Sequence, residues 1–216
     1  MLRGHIRDSF NDDRLYRLLK QIHEDESIQI YIHTWNIIQS NISWRNIRKD
    51  DHIVDEYLIK NYFRDIAQFI KNITIDDDAN LPLIGTTHGN VSITRCPKIG
   101  WKNMWYGKKR LIDNVKEDIV NMDEKIINMR FDIFTNSNGF PYNLLLQFTK
   151  NATPITRNLF LHDHEFQGLD NIYIGNLNTM VNLIYHFHYN LDDILQKNIV
   201  GNQEYLVFRE NKLIYS

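Results

Sequence analysis

The hydrophobic pattern of this chain switches between two periods, which predicts alternating helices and strands. Where apolar residues recur every three to four positions, amphipathic helices are expected. The predicted helices span residues 9–22, 55–71, 101–120, 141–149, 178–189 and 203–209. Alternating or continuous apolar runs predict strands instead. The predicted strands span residues 27–35, 72–75, 126–134, 158–161, 170–176 and 212–215.

Helices and strands that follow one another in this way predict one α/β domain over residues 1–216, with a mixed central sheet. The first strand would end near residues 2–7, so we expect it to be short or truncated. Residues 37–52 are polar and irregular. Residues 79–98 hold two glycines and two prolines and predict a long loop, of a kind that is usually functional.

Composition and charge exclude several functional classes. The formal net charge is -2, so no general attraction to nucleic acid or to an anionic membrane exists, and we expect no nucleic-acid partner. The single cysteine, Cys96, excludes an internal disulfide and a multi-cysteine zinc site. No apolar run is long enough for a transmembrane segment, and no signal-peptide pattern is visible. These features predict a cytoplasmic protein.

Polar side chains gather where the predicted strands end. Arg130 and Asp132 lie in the otherwise apolar run 126–134, and strand alternation predicts that they share one face. A cation and a carboxylate in such a run either form a structural ion pair or meet a charged ligand. Other strand ends carry Arg3, Arg7, His33, Asn36, Asp76, Asp77 and Asp78.

These strand-end groups predict a nucleotide-diphosphate site. In open α/β sheets, ligands bind beyond the carboxyl ends of the strands. The planar fork of arginine suits a diphosphate, and a neighbouring carboxylate suits Mg²⁺, Mn²⁺ or a sugar hydroxyl. The chain contains no Walker sequence and no G-x-G-x-x-G. Kinase, ATPase and Rossmann dehydrogenase activities therefore lose their main support.

Four motifs in this order resemble a known family. Residues 3–7 (RGHIR), 31–35 (YIHTW), 129–132 (MRFD) and 170–175 (DNIYIG) are similar to motifs of a group of glycosyltransferases from polysaccharide gene clusters and large DNA viruses. The resemblance spans most of the chain. It implies a GT-A-like (Rossmann-like) three-layer sandwich, a nucleotide-diphosphate sugar donor, a glycan or lipid-linked glycan acceptor, and often a divalent metal. If the chain is viral, the compartment would be the host cytoplasm.

The resemblance also implies roles for individual residues. Asp132 would bind Mg²⁺ or Mn²⁺ or a donor hydroxyl, although Arg130 stands where typical GT-A enzymes have the first aspartate of Asp-x-Asp. Arg130 would stabilise the departing diphosphate. Asp170 would be the general base. The other acceptor-side candidates are Asp163, Asn171 and Glu204. The donor-binding candidates are Arg3, Gly4, Arg7, His33, Trp35, Asn36, Lys102, Tyr106, Lys109 and Arg130, and the alternative metal ligands are Asp76 and Asp78.

Other interpretations stay open. Residues 162–165 (HDHE) and 76–78 (DDD) carry metal-ligand side chains, which would suit a metal-dependent phosphohydrolase or nuclease. A non-catalytic glycan-binding protein of the same fold is a third hypothesis. Residues 76–78 also suit a solvated turn, residues 108–110 (KKR) a solvated helix face, and His186 and His188 a structural pair.

Overall fold

The computed structural model has a central six-stranded sheet. It describes residues 1–43, 47–136, 139–153, 156–164 and 167–215, without the side chains of residues 163–169. The strands are β1 (Leu2–Arg3), β2 (Ile30–Trp35), β3 (Ile37–Gln39), β4 (Asp50–Ile53), β5 (Ile70–Asp76), β6 (Lys125–Arg130), β7 (Leu159–His164) and β8 (Gln167–Asn176). The helices are α1 (Arg14–Glu26), α2 (Glu56–Phe63), α3 (Lys98–Asp118), α4 (Tyr142–Asn151), α5 (Leu177–Lys197) and α6 (Gln203–Ile214). Strands β3 and β4 form a separate antiparallel pair.

The order of strands across the sheet is β5-β2-β1-β6-β8-β7. Strands β5, β2, β1 and β6 are parallel, whereas β8 is antiparallel to both β6 and β7. Arg3 of β1 is level with His33 of β2 on one side and with Arg130 of β6 on the other. Because β8 runs the opposite way, its beginning lies at the same edge, where Ile172 pairs with Met129. The chain thus brings distant polar residues to one edge.

Helices cover both faces of the sheet and give three layers. One hydrophobic core joins Leu18 of α1 and Leu145 of α4 to Ile32 of β2. A second core joins Trp105 of α3 and Phe187 of α5 to the opposite face. The α/β class with a mixed sheet is therefore confirmed, and so is a short first strand. No helix in the described ranges combines the length and apolar character that a membrane span requires.

The strand predicted over residues 126–134 is shorter than expected. Strand β6 ends at Arg130, and Asp132 lies in a 3₁₀ segment, Phe131–Ile133. There the chain turns, because the backbone N–H of Asn136 donates to the carbonyl of Asp132 at 2.9 Å. The prediction that Arg130 and Asp132 lie side by side on one strand is therefore wrong, although the turn keeps them in contact.

Other element boundaries also differ from the predictions. The helix predicted over 55–71 stops at Phe63, because Arg64 adopts a left-handed φ of 51°, and a 3₁₀ segment, Arg64–Phe69, follows. Helix α1 begins at Arg14, after a 3₁₀ segment, Arg7–Asn11. The predicted terminal strand is wrong, since α6 continues to Ile214.

Candidate functional site

A cavity of about 170 Å³ opens at the edge of the sheet where β1, β2 and β6 end and β8 begins. The loop that precedes α3 and the first turn of α6 complete its wall. Most of the residues predicted for the site meet here. Those that line the cavity are Arg3, Gly4, Arg7, His33, Trp35, Asp78, Arg130, Asp170, Asn171 and Glu204.

Asp132 lies behind the cavity wall and holds two of these arginines. Its Oδ1 accepts a hydrogen bond from Arg130 Nε at 2.7 Å. Its Oδ2 accepts from Arg130 Nη2 at 2.6 Å and from Arg7 Nη1 at 2.6 Å. The Asp132 side chain is only 3% exposed. Both of its oxygens are thus used to fix two guanidinium groups at the cavity.

Electrostatics keeps this group charged. Burial alone would raise the pKa of Asp132, but the charges of Arg130 and Arg7 hold it below its ordinary value. Burial alone would lower the pKa of Arg130, but the carboxylate of Asp132 raises the pKa of this guanidinium above its ordinary value. Arg130 donates once more, from Nη1 to Asn171 Oδ1 at 3.3 Å. A guanidinium has more N–H donors than these contacts use, so Arg130 retains donors that no described residue accepts.

Arg3 is the third arginine at the cavity, and it is almost fully buried. Its Nε donates to Asn128 Oδ1 at 2.6 Å, and its Nη2 donates to the carbonyl of Asp170. Burial lowers the pKa of Arg3, while the carboxylate of Asp170 opposes that shift. Arg3 therefore ties the end of β1 to β6 and β8, and it adds positive potential beside the cavity.

Asp170 lines the cavity next to a buried lysine. Its Oδ2 lies 3.7 Å from Nζ of Lys108, whose side chain is 0% exposed. This amine lies 3.8 Å from the ring centroid of Trp105 and 5.2 Å from that of Tyr173. Burial lowers the pKa of Lys108 well below its ordinary value. A solvated helix face at residues 108–110 is therefore a wrong prediction for Lys108.

His33 fixes helix α3 against the end of β2. Its Nε2 lies 3.2 Å from Asp76 Oδ2, and Arg110 Nε donates to the same oxygen at 3.3 Å. Burial lowers the pKa of His33, although Asp76 opposes the shift. The ring fits because residue 107 is glycine: a Cβ there would lie 2.7 Å from the ring of His33.

Asp78 and His5 form a second carboxylate–imidazole contact at the cavity. The distance from His5 Nε2 to Asp78 Oδ2 is 3.4 Å, and the His5 ring lies 5.8 Å from the ring of Trp35. Burial lowers the pKa of His5. Asn103 of α3 donates from Nδ2 to the carbonyl of Asp78 at 3.2 Å, which holds this segment to the helix.

The carboxylate and imidazole groups described at the cavity are not arranged to bind a divalent metal ion. Both oxygens of Asp132 are occupied by guanidinium groups, and Asp76 and Asp78 each face a histidine. Within the described ranges, no three His, Cys, Asp or Glu side chains are grouped closely enough to hold an ion. The side chains of residues 163–165 lie outside the described part, so a metal site at residues 162–165 stays a prediction, as does the acceptor-side role of Asp163.

Four predicted donor-binding residues do not line the cavity: Asn36, Lys102, Tyr106 and Lys109. Lys109 forms an ion pair with Asp113 at 2.7 Å. Lys102 Nζ donates to Asp192 Oδ2 at 2.9 Å, and the same oxygen accepts from the backbone N–H of Thr86 at 2.8 Å. Lys102 and Asp192 therefore attach the loop over residues 79–97 to helices α3 and α5.

The predictions missed Cys96 at the cavity and the buried Lys108 beside it, and of these two residues Lys108 had a clear signal. Lys108 lies on the same helical stripe as Trp101, Trp105 and Ile112, so the period of α3 marks it as buried. Cys96 reaches the cavity through the conformation of a long loop, which no periodicity reveals.

No family model, no curated protein and no solved structure matches this chain. The geometry of the cavity is therefore the observation from which a function can be inferred.

Proposed function

We propose that this protein is a glycosyltransferase with a GT-A-like fold, which moves a sugar from a nucleotide-diphosphate donor to the hydroxyl of a glycan or lipid-linked glycan. One observation carries the proposal. Asp132 fixes Arg7 and Arg130 at the cavity with three short hydrogen bonds, at the carboxyl ends of parallel strands.

This arrangement suits a diphosphate because the cations are positioned before the ligand arrives. The side chains of Arg130 and Arg7 are 24% and 18% exposed, so they reach the cavity while their inner N–H groups stay bound to Asp132. A held guanidinium loses little conformational entropy on binding and offers parallel donors to phosphate oxygens. The cavity is smaller than the roughly 300–1,000 Å³ of typical ligand sites. A whole nucleotide sugar would therefore extend beyond its mouth.

In the proposed reaction, the bond between the anomeric carbon and the diphosphate oxygen breaks, and a bond to the acceptor oxygen forms. Negative charge develops on the departing diphosphate, where Arg130 and Arg7 stabilise it. The acceptor hydroxyl loses its proton to a general base, and we assign this role to Asp170. Asp170 lines the cavity at the start of β8, next to Asn171.

Binding calorimetry with a panel of nucleotide-diphosphate sugars, with and without Mn²⁺, tests the donor site. Arg130→Lys keeps the charge but loses the fork, and we expect about 10- to 100-fold weaker binding because charge-assisted hydrogen bonds are lost. Arg14→Lys is the matched control, since Arg14 forms a similar two-point pair with both carboxylate oxygens of Asp12 at the surface. If wild-type protein binds no member of the panel, the proposal is wrong.

The engaged oxygens of Asp132 also support a second candidate, a non-catalytic glycan-binding protein of the same fold. A carboxylate that is enclosed by two arginines is not available to a metal or to a donor hydroxyl. Glycan binding without turnover of any donor would favour this candidate.

A further inference from the structure

The amino group of Lys108 is enclosed on every side. It is 0% exposed, and no described residue accepts a hydrogen bond from its Nζ. The rings of Trp105 and Tyr173 lie against it at 3.8 and 5.2 Å. An ammonium group has several N–H donors, and leaving all of them unsatisfied in a dry site is costly.

Charged groups reach Lys108 from three neighbouring strands. Among the residues whose side chains are described, Asp170 of β8 is the carboxylate close to it, at 3.7 Å. Arg3 of β1 and Arg130 of β6 are positive and disfavour a further positive charge on the amine. Burial raises the pKa of Tyr173, so its hydroxyl stays neutral. Burial and two cations therefore oppose protonation of the amine, while one carboxylate and the faces of two aromatic rings favour it.

We propose that Lys108 is a neutral amine in the free protein and takes up a proton when a nucleoside diphosphate occupies the cavity. This inference depends on the proposed function, because it requires an anion beside Arg130. The anion offsets the positive charge of Arg3 and Arg130, so protonation of the amine becomes favourable. A proton from solvent then forms the new N–H bond, and no electrons are transferred.

Proton uptake by Lys108 makes the affinity for the diphosphate depend on pH. Because linkage is reciprocal, the diphosphate must bind more tightly as the pH falls. Lys108 would then be a positioning residue that acts through its neighbours Asp170 and Arg3, since it does not line the cavity itself.

Calorimetry in two buffers of different ionisation enthalpy at pH 8 counts the protons taken up. The probe is whichever of UDP, GDP, CDP and ADP binds most tightly. At pH 8 the phosphates of these nucleotides are already ionised, so a proton taken up on binding goes to the protein. We expect wild-type protein to take up close to one proton more per bound molecule than Lys108→Met. Lys109→Met is the control, since Lys109 is paired with Asp113, and it should match wild type. Lys108→Gln is a second variant in case Lys108→Met does not fold.

Denaturant unfolding from pH 6 to 9 tests the free protein without any ligand. If Lys108 is neutral, the unfolded state binds one more proton than the folded state. As the pH rises, the unfolding equilibrium constant of wild type should then fall about tenfold per pH unit relative to that of Lys108→Met. A ratio that does not change with pH overturns the inference.

The binding experiment separates the two claims. Equal proton uptake by wild type and by Lys108→Met overturns the inference and leaves the diphosphate site standing. If none of the four nucleotides binds to wild type, both the inference and the proposed function are overturned.

Discussion

Replacing Asp132 with asparagine tests whether this carboxylate anchors two arginines or serves another role. The change preserves the size of the side chain and removes one buried negative charge. Three hydrogen bonds of 2.6–2.7 Å from Arg130 and Arg7 lose their charged acceptor. The two guanidinium groups then face each other with no carboxylate between them.

The expected loss of stability is large. Removing one partner of a buried ion pair costs about 3–5 kcal/mol, because the other charge stays buried. Asparagine still offers one oxygen, and both arginines are partly exposed, so we expect the lower limit of about 3 kcal/mol. For a chain of this size, such a loss lowers Tm by roughly 6–12 °C.

Urea unfolding of wild type and Asp132→Asn measures this difference. Asp12→Asn is the matched control, because Asp12 accepts from Arg14 Nε at Oδ1 and from Arg14 Nη2 at Oδ2, as Asp132 does from Arg130. That pair is solvent-exposed and contributes at most about 1 kcal/mol. The pKa of Asp132 is lowered by folding, so its contribution is present above the unfolded pKa of about 3.9. The difference between wild type and Asp132→Asn should therefore stay constant from pH 8 to 5 and shrink as the pH falls below about 4.

Two results would refute this reasoning. The first is an Asp132→Asn protein as stable as the Asp12→Asn control, since the buried anchor would then contribute nothing. The second is unchanged stability together with the loss of Mn²⁺-dependent donor binding, which would make Asp132 a metal ligand.

Two further changes test the surroundings of the site. Gly107→Ala places a methyl carbon 2.7 Å from the ring of His33 and should destabilise the protein by about 1–3 kcal/mol in urea unfolding, although alanine normally favours a helix. Gly201→Ala, which meets no atom within 4 Å, should have little effect, and equal effects at both positions would contradict the packing argument. Asp192→Ala releases the loop over residues 79–97, so trypsin should cleave after Arg95 about tenfold faster than in wild type or in Asp193→Ala. Equal cleavage rates in all three proteins would show that Asp192 does not hold the loop.

The layers of the fold follow from local pattern, but the ends of its elements do not. The alternation around Ile30 and Ile32 and the apolar run before Arg130 both predict strands that the structure contains. The 3₁₀ turn after Arg130 depends on a carbonyl contact with Asn136, which periodicity does not encode. Boundaries of this kind are decided by tertiary contacts.

For the site, the sequence predicts which residues gather but not how they pair. Ligands bind at the carboxyl ends of parallel strands, and from this rule we predict that Arg3, Arg7 and Arg130 lie at one site. It does not show that Asp132 would be enclosed by two of them, because Arg7 reaches it across a separation of 125 residues. The helical period of α3 indicates that Lys108 is buried. Because lysine is charged, however, the sequence favours a solvated helix face at this position.

An assay for released nucleoside diphosphate tests the central claim most directly. Nucleotide-diphosphate sugars are incubated with a panel of mono- and oligosaccharide acceptors, and wild type is compared with Asp170→Asn. We predict acceptor-dependent release by wild type, and binding of the donor without release by Asp170→Asn. Donor binding without release by wild type, for every donor and acceptor, would contradict the transferase claim and favour a non-catalytic binding protein.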